Sequence, residues 1–235
     1  MKKLAIIPAR GGSKRIPKKN IKPFLGKPII AYSIESALNS ELFDEVMVST
    51  DDQEIADISV QHGAKVPFLR SAKNSDDFAS TYDVIEEVLS EYEKQGKTFE
   101  VAFCIYSAAP FVSKEKFNLA FDSLTKNNFD CVFPALKFSF PIQRALSTSN
   151  SANKIELKFP EHVNSRSQDL EDSFHDSGQF YCFKTAPILQ LKKLWTDNTG
   201  IIIIDELEGQ DIDNLTDWKL AELKFKLLNE KENSI

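Results

Sequence analysis

The sequence predicts an α/β protein, a mostly parallel sheet flanked by helices, and three observations carry that expectation. Short apolar runs of strand length, at residues 4–7, 45–49, 100–106 and 130–135, alternate with stretches of helical period. The connections between those runs are too long for hairpins, so neighbouring strands should run parallel through right-handed crossovers. With 235 residues, 42% of them hydrophobic and 27% charged, the chain is long enough to bury a full core.

Taken in order, residues 4–7 (Leu-Ala-Ile-Ile) read as a strand covered on both faces, which Pro8 stops by withholding a donor. Residues 27–39 read as a helix with Pro28 in its first turn and Ile30, Ile34 and Ala37/Leu38 on one face. A strand over 45–49 leads to Thr50, Asp51 and Asp52, which can cap a helix over 53–61 that ends at His62-Gly63. Residues 66–69 read as another strand, and residues 70–80, which have no periodicity, as a functional loop. Ser80 or Thr81 opens a helix to residue 93 with Val84, Val88 and Leu89 inward, followed by a strand over 100–106, a helix over 113–126 and a strand over 130–135.

The alternation breaks near Lys137. Residues 138–175, rich in Ser, Asn, Gln and charge and carrying Pro141 and Pro160, read as an excursion from an α/β domain made of 1–137 and 176–235. A strand over 179–183, a short helix over 186–194 and a buried strand over 200–204 restore the pattern. A last helix over 214–228 carries Leu215, Trp218, Ala221, Phe225 and Leu228 as a core stripe, and residues 230–235 read as a frayed tail.

Charge is unevenly spread. Residues 1–34 hold nine Lys or Arg and no acid, whereas the rest holds 20 basic against 35 acidic residues. A basic opening on an acidic chain points to a local anion site and argues against a nucleic-acid surface. No run reaches 18 apolar residues and the N-terminus lacks a leader pattern, so a cytoplasmic protein with no membrane contact is expected. Cys104, Cys131 and Cys182 lie far apart in apolar surroundings and read as buried thiols.

Two stretches carry chemistry. In Pro8-Ala9-Arg10-Gly11-Gly12-Ser13-Lys14-Arg15-Ile16-Pro17-Lys18-Lys19-Asn20, paired glycines are expected to turn with φ > 0 and bring the backbone close to a ligand, with Arg and Lys around it. The loop is neither a Walker A sequence nor a dinucleotide fingerprint. In Asp211-Ile212-Asp213, residues two apart in extended backbone point the same way, so two carboxylates share one space, a geometry that suits Mg²⁺ completing its shell with phosphate oxygens and water. Capping of the following helix would also use Asp213.

The opening stretch resembles the signature of the CMP-sugar-acid synthetases, the acylneuraminate cytidylyltransferase family, and the likeness runs from the first strand to the last helix. It implies a Rossmann-like sheet of the nucleotide-diphospho-sugar transferase type with a small dimerisation excursion. It also implies triphosphate binding by Arg10, Lys14 and Lys19, with Ala9, Gly11, Gly12, Ser13 and Asn20 around it, and Mg²⁺ on Asp211 and Asp213. The resemblance further places base-side contacts at Arg70, with Asp77 and Ser80 ordering the loop. Arg166-Ser167-Gln168-Asp169-Leu170 and His175-Asp176-Ser177-Gly178-Gln179-Phe180-Tyr181 look more like the pseudaminic acid group of the family than the sialic acid group, which implies acceptor contacts at Arg166, Gln168, His175, Gln179 and Tyr181, with Ser107 at the strand end. Arg166 also offers a fork that fits a carboxylate.

Two positions depart from the family pattern: Ser107-Ala108-Ala109-Pro110 replaces a Pro-Thr-Ser/Ala-Pro turn, and Cys182-Phe183 replaces Trp-Gly. The expected reaction joins CTP and a nine-carbon 2-keto sugar acid, pseudaminic acid first, to CMP-sugar and pyrophosphate for surface glycan or flagellin glycosylation. A homodimer is expected. Sialic or legionaminic acid is the alternative acceptor, and a non-catalytic nucleotide-binding protein the remote alternative.

Overall fold

The computed structural model describes residues 1–76, 78–149 and 154–232. The chain begins with β1 (Lys3–Pro8), a small hairpin of β2 (Pro23–Phe24) and β3 (Lys27–Pro28), α1 (Ile29–Ser40), β4 (Glu45–Ser49), α2 (Gln53–Gln61) and α3 (Thr81–Lys94). It continues with β5 (Val101–Ile105), α4 (Lys114–Lys126), β6 (Cys131–Lys137), a second hairpin of β7 (Leu146–Ser149) and β8 (Lys154–Leu157), β9 (Phe174–Asp176), β10 (Phe180–Lys184), α5 (Thr185–Leu191), β11 (Thr199–Ile203) and α6 (Leu215–Glu232).

The central sheet has the order β4-β1-β5-β10-β6-β11. β1 pairs parallel with β4 and β5, and β11 parallel with β6, while β10 runs antiparallel between β5 and β6. β9 pairs with the far half of β6, also antiparallel. The sheet is therefore mostly parallel, with one antiparallel element broken at residues 177–179.

Alternation along β1 explains why the strand is apolar throughout. Ala5 and Ile7 join Ile34, Val48, Phe103, Phe117 and Phe180 on one face, and Leu4 and Ile6 join Met47, Val88, Tyr92, Phe183 and Ile188 on the other. A third cluster does more for the site. Ile16 from the basic loop, Phe24 from the first hairpin, Ile212 between the two aspartates and Trp218 of α6 are all buried together. Each such side chain contributes about 1.5–3 kcal/mol when buried, and their packing ties the opening loop to a segment nearly 200 residues downstream.

Four local expectations are corrected. The helix expected at residue 27 starts at Ile29, because Lys27-Pro28 pairs with Pro23-Phe24 across a turn in which Leu25 and Gly26 both have positive φ (47° and 101°). Residues 66–69 form no strand; the sheet edge is met earlier, at Lys65, which bonds Val46 and Val48 on either side of Met47. β11 is an edge strand and not a buried one, with Ile203 63% exposed. Neither Gly11 nor Gly12 has a positive φ, and the left-handed residue of that loop is Lys18 (φ 52°).

The three cysteines are free and buried, and burial pushes the Cys104 and Cys131 thiols up to about 12. Among the described residues no helix is long and apolar enough to cross a membrane.

Candidate active site

A cavity of about 380 Å³ opens at the carboxyl ends of β1 and β5, the edge at which ligands enter open α/β sheets. Its walls come from several places in the chain. The loop after β1 supplies Arg10, Ser13, Lys14, Arg15, Lys19 and Asn20. The segment leading into α3 supplies Ser80 and Thr81, the end of β5 supplies Tyr106 and Ser107, and Gly178, Asp211 and Asp213 close the far side.

The basic loop is held by its own neighbours. Asn20 is buried, donates from Nδ2 to the Arg10 carbonyl at 2.9 Å and accepts from the Ser107 hydroxyl at 2.8 Å. The Gly11 N–H donates to Asp51 at 3.0 Å, and a side chain at Gly11 would lie 2.7 Å from Asp52, which caps α2 by accepting from Ile55 N–H. Gly11 is therefore required by close approach and not by its backbone angles. Arg10 reaches the Asp76 carbonyl at 3.0 Å, linking this loop to residues 70–80.

The two carboxylates face the cavity because Ile212 between them is buried. Burial, and then the neighbouring Asp213 charge, raise the Asp211 carboxyl above its ordinary value, with Lys19 opposing the shift. Burial conversely lowers Lys19 below the usual lysine range against the pull of Asp213 and Asp211, and its ammonium donates to the Ile212 carbonyl at 2.8 Å. Arg15 pairs with Asp213 at 2.6 Å on the exposed rim. Two like charges held side by side at the cavity fit a hard divalent cation. Among the described residues no group of three or more acidic, His or Cys side chains could hold a metal alone, so such an ion would need oxygens from substrate and water.

Gly178, at the break between β9 and β10, has φ 66°, and a side chain there would come within 3.1 Å of Asp211. Arg70 lies almost wholly buried beneath the cavity. Its Nε donates to the Ser49 hydroxyl at 3.0 Å and its terminal nitrogen to the Ser49 carbonyl, while burial lowers it despite Asp51 and Glu87 nearby. Ser80 caps α3 in a capping box with Asp83. Asp77 lies outside the described residues.

The expected acceptor residues are scattered. Ser107 lines the cavity. Gln179 is fully buried, donates to the Glu208 carbonyl at 2.7 Å and leaves its Oε1 without a partner among the described residues, and Tyr181 is buried with its hydroxyl donating to Asp176. Arg166 is 73% exposed and pairs with Asp169 at 2.8 Å. Gln168 is exposed beside Lys137 and Phe138, and His175 is exposed against the Phe138 ring. Within one chain, Arg166, Gln168 and His175 do not line the cavity. The reading from sequence overlooked Arg15 as a partner for Asp213, and overlooked Tyr106 and Thr81; a tyrosine closing a buried parallel strand was the available signal for the second.

Comparison with known proteins identifies relatives of the chain. A family model described as cytidylyltransferase matches residues 4–197. The chain is 40% identical over 230 residues to pseudaminic acid cytidylyltransferase of Campylobacter jejuni, covering 98% of this chain and 99% of that one. It is 32% identical to CMP-N,N'-diacetyllegionaminic acid synthase of Legionella pneumophila, covering 98% and 99%. The fold matches a structure of CMP:2-keto-3-deoxy-manno-octonic acid synthetase complexed with CTP, with a TM-score of 0.69 at 16% identity over 98% of this chain and all of the other. A family match across four-fifths of the chain, together with near-full-length relatives above 30% identity, shows that the chain belongs to the cytidylyltransferases and is a nucleotidyltransferase enzyme.

Proposed function

We propose that this cytidylyltransferase joins CTP to pseudaminic acid, releasing pyrophosphate and CMP-pseudaminic acid for glycosylation of flagellin or surface glycans. The observation that carries the reading is the convergence in one cavity of Arg10, Lys14 and Lys19 with Asp211 and Asp213. The cations suit a triphosphate, and the carboxylate pair beside them suits the metal that accompanies it. The 40% identity to a pseudaminic acid enzyme over nearly the whole chain supports the choice of acceptor.

In this reading Arg10, Lys14 and Lys19 hold the triphosphate and neutralise charge as pyrophosphate departs, with Ser13, Asn20 and the Ala9, Gly11 and Gly12 backbone shaping the cradle. Arg70 underlies the base, with Ser80 on the same side. Asp211 and Asp213 hold Mg²⁺, which when bound offsets phosphate charge and acidifies an oxygen it touches. Ser107, Gln179 and Tyr181 belong to the acceptor side. The anomeric hydroxyl of the sugar acid attacks the α-phosphorus of CTP, so the protein's contribution is positioning and charge.

Arg166, Gln168 and His175 enter the reading through a homodimer in the cytoplasm, in which the excursion at 138–175 reaches the partner's cavity. Its exposed Phe140, Leu146, Ile155 and Val163 support that use. Pyrophosphate release with CTP, Mg²⁺ and pseudaminic acid, run beside N-acetylneuraminic and N,N'-diacetyllegionaminic acids, tests the acceptor. Highest kcat/KM for pseudaminic acid is expected, and faster turnover of either other acid would replace it.

A further inference from the structure

The acidic pair sits on a segment bonded at several points to elements away from the cavity. Residues 206–208 form a 3-10 turn, and Gly209 leaves it in extended conformation (φ −146°, ψ 139°), two residues before Asp211. Gly209 is buried, and a side chain there would come within 3.1 Å of Gln179, Ile204 and Leu136. The base of the pair is therefore closely packed.

α6 grips this segment at both ends. At one end the Lys224 ammonium donates to the Glu206 and Gly209 carbonyls, each at 2.9 Å. At the other, the Asp217 carboxylate accepts from the Asp213 and Asn214 N–H groups at 2.9 and 3.0 Å. The two side chains lie two helical turns apart, so they leave one face of α6 at points about 10 Å apart along its axis. Between them the chain carries Asp211 and Asp213, with the Ile212 carbonyl taken by Lys19 at 2.8 Å. The Asp217 bonds have a local explanation, because Asn214 accepts in return from the Thr216 and Asp217 N–H groups and the exchange caps α6. Capping asks nothing of Lys224, two turns further on. Lys224 does not line the cavity, and burial lowers it below the usual lysine range while Glu206 and Asp205 draw it back.

We propose that Lys224 is a positioning residue for the carboxylate pair: by fixing the Glu206 and Gly209 carbonyls against α6, it sets the angle at which Asp211 and Asp213 meet a divalent cation. The inference rests on the metal reading of that pair given above. Lys224 touches neither metal nor substrate in this scheme and acts only through the backbone that bears the ligands, the way outer groups commonly orient metal-binding side chains.

The Mn²⁺ affinity of the enzyme–CTP complex, read by water-proton relaxation enhancement, is to be compared in wild type, Lys224→Met, Lys224→Arg and Asp211→Asn. Lys224→Met should weaken Mn²⁺ binding about 10-fold and raise the half-saturating Mg²⁺ in pyrophosphate release by a similar factor. Lys224→Arg, which keeps a charge and several donors, should recover most of both. Leu228→Ala, which loosens α6 through the core it shares with Phe24 and Trp218, separates positioning from stability. It should lower Tm and leave the Mn²⁺ affinity within about twofold. If Lys224→Met does not fold, Lys224→Gln takes its place with the same expectation. Unchanged Mn²⁺ affinity in the Lys224 variant, or an equal loss in Leu228→Ala at equal Tm, would overturn this inference alone. A wild type that binds Mn²⁺ no better than Asp211→Asn would overturn the metal reading and this inference with it.

Discussion

Lys19 and Asp211 illustrate how much of the site is a matter of single charges. Lys19 is partly buried and Asp211 more exposed, yet each is shifted by desolvation in the direction that disfavours its charged form, and each is drawn back by the other. Asp211→Ala or Lys19→Ala should fold, by circular dichroism, yet lose roughly 10²-fold or more in CMP-sugar formation, the scale on which removing one preorganised charge-stabilising group acts. Wild-type turnover in either variant would remove that residue from the proposed machinery. Away from the cavity, Glu45 is buried at the start of β4, where burial raises its carboxyl but bonds from Tyr92, Lys65 and Lys97 outweigh that and leave it lowered. A lowered folded-state value adds stability above the usual carboxylate range, and that stability is lost as pH falls through the folded value. Glu45→Gln should therefore lower Tm at pH 7 and flatten its fall in acid; a parallel fall in both proteins would refute the linkage.

At the scale of elements, caps and turns were legible because they are local. Asp52 and Ser80 accept from the backbone as Ser, Thr and Asp do at helix starts, and α2 occupies the residues its pattern predicts. The misread elements were decided by partners distant in sequence or hidden from it: Lys27-Pro28 pairs backwards with Pro23-Phe24, and Lys65 takes the sheet-edge contact expected of residues 66–69. The break between β9 and β10 was equally invisible, since both strands align along β6 and only the path between them swings Gly178 to Asp211. Gly178→Ala should cost about 1–2 kcal/mol for a left-handed backbone and press on Asp211 as well. Thermal melts and CTP-dependent turnover should both fall, and retention of full activity would show that Asp211 yields freely.

For the whole molecule, the excursion carries exposed apolar side chains on β7 and β8 and in the loop before them, Phe140 being 81% exposed. Light scattering after gel filtration should give a dimer for the wild type, and Phe140→Lys should shift it towards monomer with a weaker acceptor KM. A monomeric, fully active wild type would end the proposed role of Arg166, Gln168 and His175 across an interface. The chain by itself determined the alternation of strands and helices, the basic loop, the acidic pair and the family, because strand burial, capping and charge clustering are written in residues a few positions apart. Only the tertiary structure decided the antiparallel course of β10, the burial of Gln179 and Tyr181, the Arg15–Asp213 pair and the place of Tyr106 on the cavity wall. Those depend on which distant surfaces pack together, above all on Ile16, Phe24, Ile212 and Trp218, which close one core around both ends of the chain.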